Sequence, residues 1–119
     1  MDRYRNLNIM QHKITSLRPT DTRKSLMNFL TTNNIDIALL QEIWMKPDEN
    51  FKFKGYTFTK HLRSAGYGGV GISVKDEMRF ETVKLPQHNP IEAIAIKTIN
   101  TIPEMLILSV CIPPLEIMI

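Results

Sequence analysis

Apolar and polar positions in the first forty residues follow two different periods. Leu7, Ile9 and Gln11 alternate with Asn8 and Met10, a period of two that predicts a strand over 7–11 with those three on one face. Further on, Leu26, Phe29 and Leu30 recur at i, i+3 and i+4, which is one face of a helix. Thr20 or Asp21 is suited to cap that helix, because a short side-chain oxygen accepts from an amide that the first turn leaves unpaired. Asn33-Asn34 ends it, since Asn tolerates the left-handed conformation. Ile35-Asp36-Ile37-Ala38-Leu39-Leu40 follows at once and is almost wholly apolar, which predicts a strand covered on both faces. Strand, helix, strand in this order is a βαβ-like unit, with its two strands parallel and adjacent or nearly so.

Beyond Pro47 the helical period disappears. Tyr56 to Lys60 and Val83 to Leu85 alternate, and 69–75, 91–99 and 105–112 are further apolar runs. Between them lie Gly66, Gly68, Pro86, Asn89-Pro90 and Asn100, which punctuate a chain into strands and turns. Consecutive strands with short connections predict antiparallel pairing. The pattern is therefore α/β, with one helix in front and a strand meander that extends the first sheet. One helix cannot cover both faces of such a sheet, so the pattern lacks a covering layer. The last residues, Leu115-Glu116-Ile117-Met118-Ile119, are apolar, which predicts either a docked strand or a domain interrupted there.

A chain of 119 residues fits one domain. With 43% hydrophobic and 23% charged residues it is globular in class rather than disordered. The net charge of +3 is unevenly spread: residues 1–63 hold 11 Lys/Arg against 6 Asp/Glu, so the basic excess belongs to the front half. Cys111 is the single cysteine, which excludes an internal disulfide and a cysteine-based zinc finger. No apolar run after Met1 reads as a secretory leader. The longest apolar stretch, Met105 to Leu115, is broken by Pro113-Pro114 and falls short of the ~20 residues a membrane helix needs. The expectation is an intracellular chain with no membrane partner.

Gln41-Glu42 is the leading candidate for chemistry, because sheets of this class place their sites at the carboxyl ends of buried strands. A carboxylate there is able to ligate a hard cation such as Mg²⁺, which takes few protein carboxylates and keeps its waters; equally, Glu42 reads as the first solvated residue past the strand. The glycines of Gly66-Tyr67-Gly68-Gly69-Val70-Gly71 are followed by the alternation Val70, Ile72, Val74. That favours a hairpin or bulge over a phosphate-cradling loop, which needs a helix next. Arg63 precedes the glycines and suits a phosphate contact or a solvated loop. His12, His61 and His88 lack metal-ligand spacing, Cys111 reads as buried filler, and Trp44 as core or lid packing.

Taken together, Leu7-Asn8-Ile9-Met10-Gln11, Leu26 with Phe29-Leu30, 35–44, Gly55-Tyr56, Arg63, Gly68 to Ile72, 92–96 and 108–114 resemble in order and spacing the endonuclease/exonuclease/phosphatase family. Within it they are most similar to the endonuclease domain of LINE-type retrotransposons. The resemblance implies a four-layer αββα sandwich that hydrolyses phosphodiesters of DNA with Mg²⁺, held by Glu42, in an intracellular setting, the nucleus being one such compartment. It covers Leu7 to Pro114 and so implies a partial, truncated sandwich, with 1–119 the N-terminal part of one such domain. The family's Gly-Asp-Phe-Asn and Ser-Asp-His segments, which supply an Asp/Asn pair and the general base, fall beyond Pro114.

Two positions depart from the family's pattern. After the first strand's Gln the family carries Trp-Asn, and here His12-Lys13 stands. A unit cation about 4 Å from Mg²⁺ at an effective dielectric near 20 repels it by ~8 kcal/mol. Where the family has a Tyr before Ile-Pro-Pro, Cys111 stands, without the reach or acidity of a phenol. The expectation is a retrotransposon-type endonuclease fragment without activity, with Lys13 and Glu42 either paired in place of the metal or standing as two solvated strand-end charges that point apart. Two alternatives are a non-catalytic nucleic-acid-binding module using the basic front half, and an unrelated α/β interaction domain.

Overall fold

A computed structural model describes residues 6–46, 48–62, 68–86 and 91–111. Its elements are β1 (Ile9–Lys13), α1 (Thr20–Thr32), β2 (Ile37–Gln41), β3 (Tyr56–His61), β4 (Val70–Lys75), β5 (Phe80–Val83), β6 (Glu92–Thr98) and β7 (Leu106–Cys111). β1 and β2 are parallel neighbours, Ile9 opposite Ile37 and Lys13 opposite Gln41, as the βαβ-like pattern requires. The meander does not extend one sheet. β4 inserts antiparallel between β2 and β3, giving the order β1-β2-β4-β3, and β5-β6-β7 form a separate antiparallel sheet. The reason lies in the runs themselves. β4 is buried throughout up to Lys75 and so needs cover on both faces, whereas β6 and β7 need it mainly on one.

The layers follow: α1, the four-stranded sheet, then the three-stranded sheet. Leu26 and Leu30 of α1 pack with Ala38, Leu40, Leu17, Ile43 and Phe53 on one side of the first sheet. On its other side Ile37, Val70, Ile72 and Val74 meet Ile94, Ile96 and Ile107 of the second. Full burial of each such side chain contributes about 1.5–3 kcal/mol. Asp36, in the middle of an apolar run, is 5% exposed because it has partners. Its Oδ2 accepts from the Asn8 amide at 2.8 Å, and Lys75 Nζ lies 3.5 Å from its Oδ1.

Several boundaries shift. β1 starts and ends two residues later than the alternation predicts. α1 has Pro19 at its cap position and no side-chain cap. Thr20 is already helical, and its hydroxyl accepts from Arg23 Nη2 at 3.2 Å. The left-handed residue that closes the helix region is Asn34 (φ 50°), while Asn33 keeps φ −97°. Phe29 does not complete the buried helix face: it is 47% exposed and lines a cavity beside β1. The glycines serve the hairpin. Gly68 and Gly69 take φ 68° and 84°, and a Cβ at Gly71 would overlap the Phe58 ring. Among the described residues there is one helix and no second helical layer. Among the described residues no helix is long and apolar enough to cross a membrane.

Candidate functional site

β2 delivers Gln41 and Glu42 to the carboxyl end of the first sheet, and each does something different there. Gln41 points between the sheets and is buried. Its Oε1 accepts from Gln11 Nε2 at 2.7 Å and its Nε2 donates to Ser109 Oγ at 3.0 Å. Ser109 in turn donates to the Leu40 carbonyl at 3.0 Å. One amide therefore ties β1, β2 and β7 together.

Glu42 and Trp44 adopt φ 55° and 50°, a region that costs a residue with a side chain of order 1–3 kcal/mol and persists only when the surroundings over-determine it. Those surroundings are main-chain hydrogen bonds on both sides. Ile14, Ser16 and Leu17 N–H donate to the carbonyls of Gln41, Glu42 and Ile43 at 2.9, 2.8 and 2.9 Å. On the other flank Ile43 and Trp44 N–H donate to Gly69 and Gly68 at 3.4 and 2.9 Å. The turn aims the half-buried Glu42 carboxylate at two donors. Trp44 Nε1 donates to Oε2 at 2.6 Å, and the Cys111 thiol lies 3.5 Å from Oε1.

A second carboxylate stands close by. Glu92 is 5% exposed, sits opposite Cys111 in the β6–β7 register, and takes the Gly69 amide on both oxygens at 3.3 and 3.2 Å. The sequence reading passed over Glu92, although its parity with Ile94 and Ile96 placed an acid on a core face.

Of the residues singled out in the sequence, the structure brings Glu42 and Cys111 together and adds Trp44 to them. Cys111 is buried as expected, but it also faces a carboxylate. Arg63 lies outside the described residues, as does His88. Lys13 is exposed on the edge strand, and among the described residues no ion pair joins it to Glu42. Of the two readings of Lys13 and Glu42 the separated one holds, because the left-handed turn at Glu42 directs its carboxylate to Trp44 and Cys111. His12 and His61 belong to no cluster: among the described residues no group of three or more His, Cys, Asp or Glu side chains converges as a metal site.

The family model for the endonuclease/exonuclease/phosphatase family matches residues 7–110. The chain belongs to that family. No curated protein matches it. Members of the family commonly use divalent metals, so the described residues can be tested for one. Mg²⁺ demands octahedral oxygen ligands and one or two carboxylates free to reach it. Glu42 offers one carboxylate, and both its oxygens already face donors. Among the described residues no group of three or more His, Cys, Asp or Glu side chains converges on Glu42 to complete a cation site.

A separate surface is cationic. Around the 50–53 segment, two grooves are lined by Arg23, Lys24, Lys52 and Lys60 together with Phe51 and Phe58. No described carboxylate lines either. The Arg23 guanidinium lies 4.0 Å over the Phe51 ring and the Lys60 ammonium 5.8 Å from the Phe58 centroid. Arg23 is also fixed by its Nη1, which donates to the Leu17 and Arg18 carbonyls at 2.9 and 2.6 Å.

Proposed function

We propose that the chain is the front part of a retrotransposon-type endonuclease domain, an intracellular DNA-directed member of its family that does not cleave phosphodiesters by itself. The observation that carries this is the engagement of Glu42, the one carboxylate taken over from the family's metal site, by Trp44 and Cys111. Lys13 and Cys111 at two altered family positions support it. A bound Mg²⁺ would polarise the scissile phosphate and stabilise the leaving oxygen. Calorimetric titration with Mg²⁺ tests the reading. It predicts no saturable heat; saturable binding that disappears in Glu42→Ala contradicts it.

The cationic grooves favour a second reading, a non-catalytic nucleic-acid-binding module. Phosphate contacts release counterions, so affinity for duplex DNA falls with salt by a log–log slope of roughly 0.9 per phosphate neutralised. Anisotropy with a labelled duplex predicts a clear salt slope that flattens in Lys24→Glu/Lys52→Glu/Lys60→Glu. Salt-independent binding, or an unchanged slope in that variant, removes this reading.

A further inference from the structure

The Gly68–Gly69 peptide group is held at both ends. Its carbonyl, on Gly68, accepts from the Trp44 N–H at 2.9 Å. Its amide, on Gly69, donates to Glu92 Oε1 and Oε2 at 3.3 and 3.2 Å. In a trans peptide the N–H and C=O point in opposite directions within one plane, so a group that fixes the amide also aims the carbonyl. Gly68 and Gly69 take φ 68° and 84°, and glycines on both sides let such a peptide turn over at little steric cost. Its orientation is therefore decided by the partners at its two ends.

Glu92 shares the inward face of β6 with Ile94 and Ile96 and is 5% exposed. A carboxylate among apolar side chains is unfavourable unless hydrogen bonds offset its burial, and an apolar residue of similar size would fill the space without that penalty. The Glu92 side chain reaches from the second sheet to the residue before β4 in the first. The peptide it grips supports the 42–44 turn, because the Trp44 N–H rests on its other end. The same turn sets the Trp44 indole on Glu42 Oε2 at 2.6 Å. We propose that Glu92 is a positioning residue for Glu42: it orients the Gly68–Gly69 peptide, the peptide fixes the Trp44 main chain, and the Trp44 indole fixes the Glu42 carboxylate. The Glu42–Trp44 contact underlies the functional reading as well. The two fail separately, because the indole is observed without Mg²⁺ and the Mg²⁺ titration does not observe the indole.

Trp44 is the single tryptophan, so its indole N–H gives one cross-peak in a proton–nitrogen correlation spectrum of the full chain. Glu42→Leu removes the acceptor and marks where that signal lies once the contact is lost, with exchange of the indole proton faster by about tenfold or more. Glu92→Leu keeps the side-chain volume and removes the acceptors. It is expected to move the signal the same way and to speed exchange likewise, whatever its effect on thermal stability. Glu92→Gln keeps an oxygen for the Gly69 amide and retains the native signal. Ile94→Ala opens a cavity on the same face of the same strand and lowers stability without moving the signal. A native signal in folded Glu92→Leu overturns the proposal, as does a signal that Glu42→Leu leaves in place. A shift in Ile94→Ala as large as in Glu92→Leu also overturns it, by making the effect one of packing, and so does Glu92→Gln behaving as Glu92→Leu. If Glu92→Leu loses its circular dichroism, Glu92→Asp, whose carboxylate is one methylene further from the Gly69 amide, decides by the same signal.

Discussion

Tyr56 joins three parts of the chain through one hydroxyl. The O–H donates to the Ile35 carbonyl at 2.6 Å, with the Leu30 carbonyl at 3.3 Å, and so fastens β3 to the exit of α1 and the approach to β2. Burial raises its pKa above 10.0, and the nearby charges of Asp36 and Glu77 raise it further. A raised folded-state value means that this contribution is fully present below the ordinary tyrosine value and is lost as pH rises through the folded one. Tyr56→Phe is expected to lower stability by about 1 kcal/mol near neutral pH and to lessen the decline above pH 10. Denaturant titrations of both proteins at the two pH values check this; equal alkaline declines would contradict it. The same scale explains what was hidden around Glu42. No periodicity announces a residue at φ 55°, because the strain is imposed by donors from the β1–α1 connection and acceptors at Gly68-Gly69 that are distant in sequence. The roles of Trp44, Ser109 and Cys111 depend equally on contacts between sheets.

At the level of elements, alternation and helical period located β1, α1, β2, β3, β4, β6 and β7 to within about two residues, whereas the alternation at Val83 to Leu85 marked only the last residue of β5, which runs Phe80–Val83. The parallel β1–β2 pair followed from chain order. The division into two sheets was harder to read, since a run such as Val70 to Val74 looks alike whether its cover is helix or sheet. The alternation of β7 was informative in a way that the structure makes concrete. Ile107, Ser109 and Cys111 face inward, while Leu106, Leu108 and Val110 are 60%, 42% and 40% exposed. An outward apolar row of this kind favours association. Leu106→Lys/Leu108→Lys is therefore expected to reduce hydrophobic-dye fluorescence and concentration-dependent sedimentation. The cost in stability should be within about 0.5 kcal/mol, as for surface positions generally. Unchanged dye binding would show that the row is not the exposed surface that matters.

For the whole molecule, the one helix and two stacked sheets of the described residues place Glu42 at a sheet end, where its oxygens face the Trp44 indole and the Cys111 thiol. The cationic grooves lie on a different surface and do not depend on that carboxylate. The most direct measurement is nicking of supercoiled plasmid by the purified chain in Mg²⁺, with Glu42→Ala alongside. The account predicts no nicking above the protein-free control for either protein; Mg²⁺-dependent nicking by the native chain that Glu42→Ala abolishes would contradict it.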